Sequence, residues 1–154
     1  MAGFVIALSV LGLILLIGPI SFFVFSWIKR LQSKTLKMMQ SELEGEEIYN
    51  LRGCNFFGLL SSGAGQLRGN GLLALTSGGL RFRMLLPPRR LDIPLEAIEE
   101  ISYPKWFLGK TKTKELLRVD FKDEKGNRDA AAWLISDPQG WGEAVKALRE
   151  DRRP

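Results

Sequence analysis

The N-terminal part of the chain is apolar and carries no charged side chain before Lys29. A helix needs roughly 20 apolar residues to cross the hydrocarbon core of a bilayer, so the pattern predicts a transmembrane helix over residues 1–28. Pro19 is compatible with this prediction, because proline is tolerated in membrane helices. A cleaved signal peptide is the alternative. The stretch lacks a basic region before its apolar run and a small-residue cleavage site after it, which favours a retained anchor.

Four basic residues follow the predicted span directly. They are Lys29, Arg30, Lys34 and Lys37. By the positive-inside rule they predict a single-pass protein of a plasma or inner membrane, with its N-terminus outside and the remaining chain cytoplasmic. We expect residues 29–45 to form a basic, partly amphipathic juxtamembrane stalk that ends at the acidic residues from Glu42 to Glu47, close to anionic headgroups.

Charge and composition exclude several classes of function. The net charge of +5 comes from 22 basic and 17 acidic residues, and removing the four juxtamembrane residues leaves 18 basic against 17 acidic. The rest of the chain is therefore nearly neutral, and we expect no nucleic-acid partner. With no histidine and only Cys54, the chain cannot form a histidine-based triad, a disulfide of its own or a thiolate metal cage.

Two glycine-containing segments resemble nucleotide-binding motifs only in part. Gly109-Lys110-Thr111 resembles the end of a P-loop, but Pro104 stands where that motif requires glycine. The run from Gly63 to Gly69 has its last glycine one place too late for a dinucleotide fingerprint. We therefore expect a non-enzymatic protein with no cofactor and no metal site.

After residue 46 the pattern changes to short alternating apolar segments, which predict seven β-strands. The clearest pair is a hairpin in which Leu73 and Leu75 face Leu80 and Phe82 across a Thr76-Ser77-Gly78-Gly79 turn. The predicted strands are 48–57, two strands around 73–75 and 80–84, a short strand at 91–93, and strands at 98–103, 117–121 and 130–135. A glycine-rich loop over 58–69 separates the first two.

The chain ends in a predicted amphipathic helix. Asp137 is suited to cap its N-terminus, and Pro138 follows at the first helical position. Trp141, Val145 and Leu148 then fall on one face. We expect this face to pack against the strands.

The order of three short motifs resembles the GRAM branch of the pleckstrin-homology-like superfamily. The motifs are Gly71-Leu72-Leu73-Ala74-Leu75-Thr76, Gly79-Leu80-Arg81-Phe82 and Ile93-Pro94-Leu95-Glu96-Ala97-Ile98-Glu99-Glu100-Ile101. The resemblance covers residues 46–150 and leaves 151–154 as a tail. It implies a mainly-β barrel of about seven antiparallel strands with a C-terminal helix, placed here behind the transmembrane helix. It also implies membrane association or protein docking, without naming a ligand.

Basic residues near the second and third strands are candidates for binding phosphate. Arg81 and Arg83 flank Phe82 and should share the opposite face of their strand, and Arg89 and Arg90 follow the proline break. Paired guanidinium donors suit a phosphate. Arg68 precedes Arg81 by a gap similar to that of the basic pattern with which some pleckstrin-homology domains bind inositol phosphates. The alternative, which we favour, is a solvated strand face.

A second cluster lies in the predicted loop after the fifth strand. It contains Lys105, Trp106, Phe107, Lys110, Lys112 and Lys114. Aromatic rings beside lysines suit a loop that dips into a membrane interface or contacts a partner, and they equally suit a partly buried loop.

These observations predict a membrane-anchored, non-enzymatic cytoplasmic module that docks a protein partner or subunit. The alternative function is binding of anionic phospholipid headgroups through Arg81, Arg83, Arg89 and Arg90.

Overall fold

A computed structural model describes residues 2–111 and 113–152, with side chains from Gly18 onward except that of Thr111. Two helices and nine strands make up this part of the chain. They are α1 (Ala2–Glu42), β1 (Ile48–Leu59), β2 (Gly69–Thr76), β3 (Gly79–Met84), β4 (Arg89–Pro94), β5 (Ile98–Ser102), β6 (Trp106–Phe107), β7 (Lys110–Thr111), β8 (Leu117–Lys122), β9 (Arg128–Leu134) and α2 (Pro138–Asp151). Single 3-10 turns follow β1 and β4, at Leu60–Ser62 and Leu95–Ala97.

Seven strands form one antiparallel sheet in the order β4-β3-β2-β1-β9-β8-β5, and β6 and β7 pair separately. All seven contribute side chains to one buried cluster, so the sheet is curled around its core. The prediction of seven antiparallel strands followed by a C-terminal helix is confirmed. The β2–β3 hairpin also has the predicted register, with Leu73 opposite Phe82 and Leu75 opposite Leu80.

Aromatic side chains fill the centre of this core. The Phe56 and Phe82 rings stack with their centroids 4.9 Å apart, and Trp133 lies within 5.9 Å of both. Offset and tilted ring pairs of this kind stabilise a core beyond the area that they bury. From α2, Trp141 and Val145 close one side of the core.

The start of α2 follows the predicted capping pattern. The Asp137 carboxylate accepts a hydrogen bond of 3.0 Å from the backbone N–H of Gly140, and Pro138 occupies the first turn. The side chain of Asp137 thus satisfies one of the backbone donors that a helix start leaves unpaired.

The predicted transmembrane helix over 1–28 and the single-pass location are contradicted. Within the described part of the chain, no helix is both long and apolar enough to cross a membrane.

The C-terminal end of α1 packs against the sheet. Met39 and Leu43 are buried, and they form a small apolar cluster with Ala74 of β2, against which Leu51 and Leu72 also pack. The end of the predicted stalk is therefore part of the folded domain.

The segment after β5, predicted as a loop, contains the β6–β7 hairpin. Its turn consists of Leu108, whose φ is +50°, and Gly109, whose φ is +70°. A leucine rarely adopts a positive φ, and here Leu108 is held by packing against a second apolar cluster. The buried members of that cluster are Phe57, Phe107, Leu116, Ala130 and Ala132.

Candidate functional site

Arg81 and Arg83 share one face of β3, as predicted, and acidic residues at and just after the end of α1 lie over that face. The Arg83 Nε atom is 2.8 Å from Glu42 Oε2, and its Nη1 atom is 2.6 Å from Asp92 Oδ1. Only 5% of the Arg83 side chain is exposed. Its charge is thus neutralised inside the protein by one carboxylate from α1 and one from β4.

Arg81 has a separate partner. Its Nη2 atom is 3.0 Å from Glu46 Oε1, and Glu46 also accepts a hydrogen bond from the Thr76 hydroxyl. Burial alone would raise the pKa of Glu46, but the hydrogen bonds from Thr76 and Arg81 outweigh it and hold the pKa below its ordinary value. The ionised form of Glu46 is therefore the stable one in the fold.

Arg90 is the exposed member of this group, with 61% of its side chain accessible. Its Nε atom is 2.9 Å from Asp92 Oδ2, and its Nη2 atom is 3.5 Å from Glu42. Asp92 is therefore shared by two arginines. Burial alone would raise the pKa of Asp92, but the hydrogen bonds from Arg83 and Arg90 outweigh that effect. The pKa of Asp92 is therefore below its ordinary value.

Arg89 and Arg68 take no part in these ion pairs. Arg89 Nη1 donates a hydrogen bond of 2.9 Å to Gln66 Oε1, and Arg68 stacks over the Phe57 ring at 4.2 Å from its centroid. The five predicted phosphate-binding arginines therefore do not converge on one point.

Gln66 holds the glycine-rich loop in place. Its side-chain amide accepts from the backbone N–H of Leu59 at 2.9 Å and donates to the Leu59 carbonyl at 2.6 Å. On the other side, Asp129 accepts hydrogen bonds from the backbone N–H and the hydroxyl of Ser61. The loop is therefore tied to β1 and β9.

The second predicted cluster is divided by the β6–β7 hairpin. Trp106 is 58% exposed, whereas its neighbour Phe107 is buried. Lys105 and Lys114 are exposed at the base of the hairpin, where the Leu116 N–H donates to the Pro104 carbonyl at 2.9 Å. We call Lys105, Trp106 and Lys114 the hairpin surface.

Two other lysines of that cluster lie elsewhere. Lys110 turns inward, with its Nζ atom 3.0 Å from the Gln66 carbonyl oxygen, and burial lowers its pKa, with a smaller contribution from Arg68. Lys112 lies outside the described residues. The four predicted juxtamembrane residues, Lys29, Arg30, Lys34 and Lys37, are all exposed on α1.

Among the described residues, no group of potential ligands is arranged to hold a metal ion. Cys54 is a buried free thiol, and burial raises its pKa far above the usual range, so its reactive thiolate form is disfavoured.

Sequence reasoning missed the acidic partners of the arginines. The sequence pattern places Glu42 and Glu46 only at the end of a stalk, and it does not single out Asp92. The strand alternation does place Asp92 beside Arg81 and Arg83, because β3 and β4 pair with Arg81 opposite Asp92. The position of Glu42 depends on how α1 docks, for which the sequence contains no local signal.

Comparison with known proteins shows a shared fold. No protein-family model matches the chain, and no curated protein does. The structure is similar to a crystal structure of the C-terminal domain of an unknown protein from Leishmania infantum, with a TM-score of 0.51 and 16% sequence identity. The match covers 75% of this chain and 96% of that domain. The chain thus has the fold of that domain.

Proposed function

We propose that this protein is a non-enzymatic docking module of the pleckstrin-homology-like type, which binds a protein partner through its hairpin surface. The seven antiparallel strands followed by a helix support the GRAM-like resemblance of residues 46–150. The function itself is argued from the side chains that the fold leaves available for contact.

The observation that carries this proposal is the position of Trp106. Its ring is 58% exposed, while the strand that bears it is fixed by buried Phe107 on one side and by Leu108 at the turn. A large aromatic side chain on a fixed backbone loses little entropy on binding, and tryptophan is enriched among the residues that dominate protein interfaces.

The charges around Trp106 indicate the chemistry of the partner. Lys105 precedes Trp106 in the sequence, Lys114 lies on the returning side of the hairpin base, and both are exposed. A complementary partner surface would present an apolar pocket for the indole and carboxylates at the rim of that pocket.

Binding of anionic headgroups is the alternative, and exposed Arg90 favours it. Its weakness is that Arg83 and Arg81 already have carboxylate partners at 2.6–3.0 Å. A phosphate would have to displace Glu42, Glu46 or Asp92, and removing a carboxylate from a buried arginine is costly.

Site-specific photocrosslinking in the full chain, inside the source cells, tests the docking proposal. A photoreactive phenylalanine analogue at position 106 should give one discrete protein adduct, identified by mass spectrometry. The matched control is the same analogue at Tyr49, which is 47% exposed on β1. The adduct should be absent at position 49 and should disappear when Lys105 and Lys114 are both changed to glutamate.

Equal labelling at both positions, or none at position 106, would contradict the docking proposal. The alternative is tested by the ratio of binding to anionic and to neutral vesicles. If protein docking is the function, that ratio should be the same for the parent and for Arg90→Ala. If headgroup binding is the function, the ratio should be lower for Arg90→Ala than for the parent.

A further inference from the structure

A groove of about 380 Å³ lies between α1 and the turn that follows β3. Its helix wall includes Leu31 and Met38, and its sheet wall includes Met84, Leu85 and Pro88. Met38 is 49% exposed, so the apolar wall is open to solvent. The volume is within the range of roughly 300–1,000 Å³ that is typical of small-molecule sites.

Basic side chains surround this apolar groove. Lys34, Arg83, Arg89 and Arg90 line it together with Glu42, and Asp92 is bound to two of these arginines. Four basic side chains thus face two acidic ones, which leaves an excess of positive charge. Arg90 and Lys34 are both exposed, and their charged groups are accessible to a ligand.

A second groove of about 340 Å³ adjoins the first, and the two share Leu31 and Leu85 as walls. It extends towards Trp27 and Leu86. Trp27, Leu31 and Met38 are spaced so that they fall on one face of α1, and this face forms the helix wall along both grooves. Arg68, Asn55 and Asn70 line the far side of the second groove. Together the grooves form a mainly apolar channel with four basic residues at the end near Lys34 and one, Arg68, at the other.

We infer that this channel binds a single-chain amphiphile with an anionic head, of the fatty-acid class. The carboxylate lies between Lys34 and Arg90, and the alkyl chain runs past Leu31 and Leu85 towards Trp27. The larger positive charge at the Lys34 end selects the anionic head, and the apolar walls along Leu31 and Leu85 select the alkyl tail. This site is separate from the hairpin surface and does not depend on the docking function.

Calorimetric titration of the full chain with sodium dodecanoate, below the concentration at which it forms micelles, tests the inference. We expect one molecule bound per chain. Dodecyltrimethylammonium, which has the same tail and a cationic head, should bind at least about tenfold more weakly. Changing both Lys34 and Arg90 to alanine should weaken dodecanoate binding by about tenfold or more. Leu85→Glu should abolish it.

Matched controls separate this site from adsorption elsewhere. Arg128→Ala removes an arginine that is 83% exposed on β9, and Leu60→Glu changes an exposed leucine outside the channel. Both should bind dodecanoate like the parent. Adsorption to the exposed apolar side chains of α1, such as Phe22 and Phe23, would give several molecules per chain and would be insensitive to Leu85→Glu. That result, equal binding of the two head groups, or no binding would overturn the inference.

Discussion

Arg83 of β3 lies 2.8 Å from Glu42, the last residue of α1, and this contact joins the helix to the sheet. The same guanidinium also binds Asp92 of β4 and the Phe82 carbonyl. One buried cation thus links α1, β3 and β4. An ion pair of this kind adds specificity of position, and it becomes costly when one partner is lost.

Replacing Arg83 with methionine should lower the free energy of unfolding by about 3 kcal/mol, because Glu42 and Asp92 would lose their main cation in a partly buried site. Urea denaturation of the full chain, followed by tryptophan fluorescence, measures this loss. The matched control is Arg128→Met, whose ion pair with Glu99 is exposed, and it should stay within about 0.5 kcal/mol of the parent. Equal effects of the two substitutions would contradict the structural role of Arg83.

Stability should decline on the acid side. The pKa values of Asp92 and Glu46 are both lowered in the fold, so the folded state holds their ionised forms more strongly than the unfolded chain does. The free energy of unfolding should therefore fall as the pH drops below about 4 and stay level between about pH 5 and 8, where the histidine-free chain lacks an imidazole to titrate. Urea denaturation curves recorded between about pH 3 and 8 measure this dependence of the free energy of unfolding on pH.

The contribution of one carboxylate can be isolated with Glu46→Gln. This variant should be less stable than the parent at neutral pH, and the difference between them should shrink as the pH falls towards 3. A constant difference at every pH would show that the charge of Glu46 contributes nothing.

Gly58 should not tolerate a side chain. Its φ is +142°, and a Cβ there would lie 2.7 Å from Gln66 Nε2 and 3.0 Å from Leu108 Cδ1. Gly58→Ala should therefore cost about 1–3 kcal/mol through backbone strain and displacement of Gln66. Thermal unfolding followed by circular dichroism measures the loss. Gly53→Ala in the same strand meets no atom within 4 Å and should not lower the melting temperature.

Cys54 should react slowly in the folded protein. It is buried on β1, and burial raises its pKa, so both access and thiolate formation are disfavoured. Labelling with a thiol reagent such as Ellman's reagent should be at least about 100-fold slower in buffer than in denaturant. Comparable rates would mean that the sheet opens easily at β1.

The strands could be predicted because their apolar positions alternate and each buries the face that the alternation selects. Leu73, Leu75, Leu80 and Phe82 are the clearest case. β9 departs from this pattern, since Ala130 and Ala132 on its other face are buried by the β6–β7 hairpin. That hairpin could not be predicted, because its turn places Leu108 in a conformation that favours glycine.

The candidate site was less predictable than the fold. Alternation along β3 correctly placed Arg81 and Arg83 on one face, but whether a face is solvated depends on what packs over it. Glu42 and Glu46 reach that face only because Met39 and Leu43 dock the helix end on β2. Such a contact between distant segments leaves no local pattern in either one.

The central position of β1 has a consequence for synthesis of the protein. β1 pairs with β2 through residues 48–56 and with β9 through residues 55–59. At roughly 5–20 residues per second, a ribosome completes β1 to β4 some seconds before β9 emerges. During that time β1 has an unpaired edge that carries Phe56 and Phe57. A chain terminated before Arg128 would lack β9, which lies between β1 and β8 in the sheet. The edge of β1 would then stay open to association with other chains.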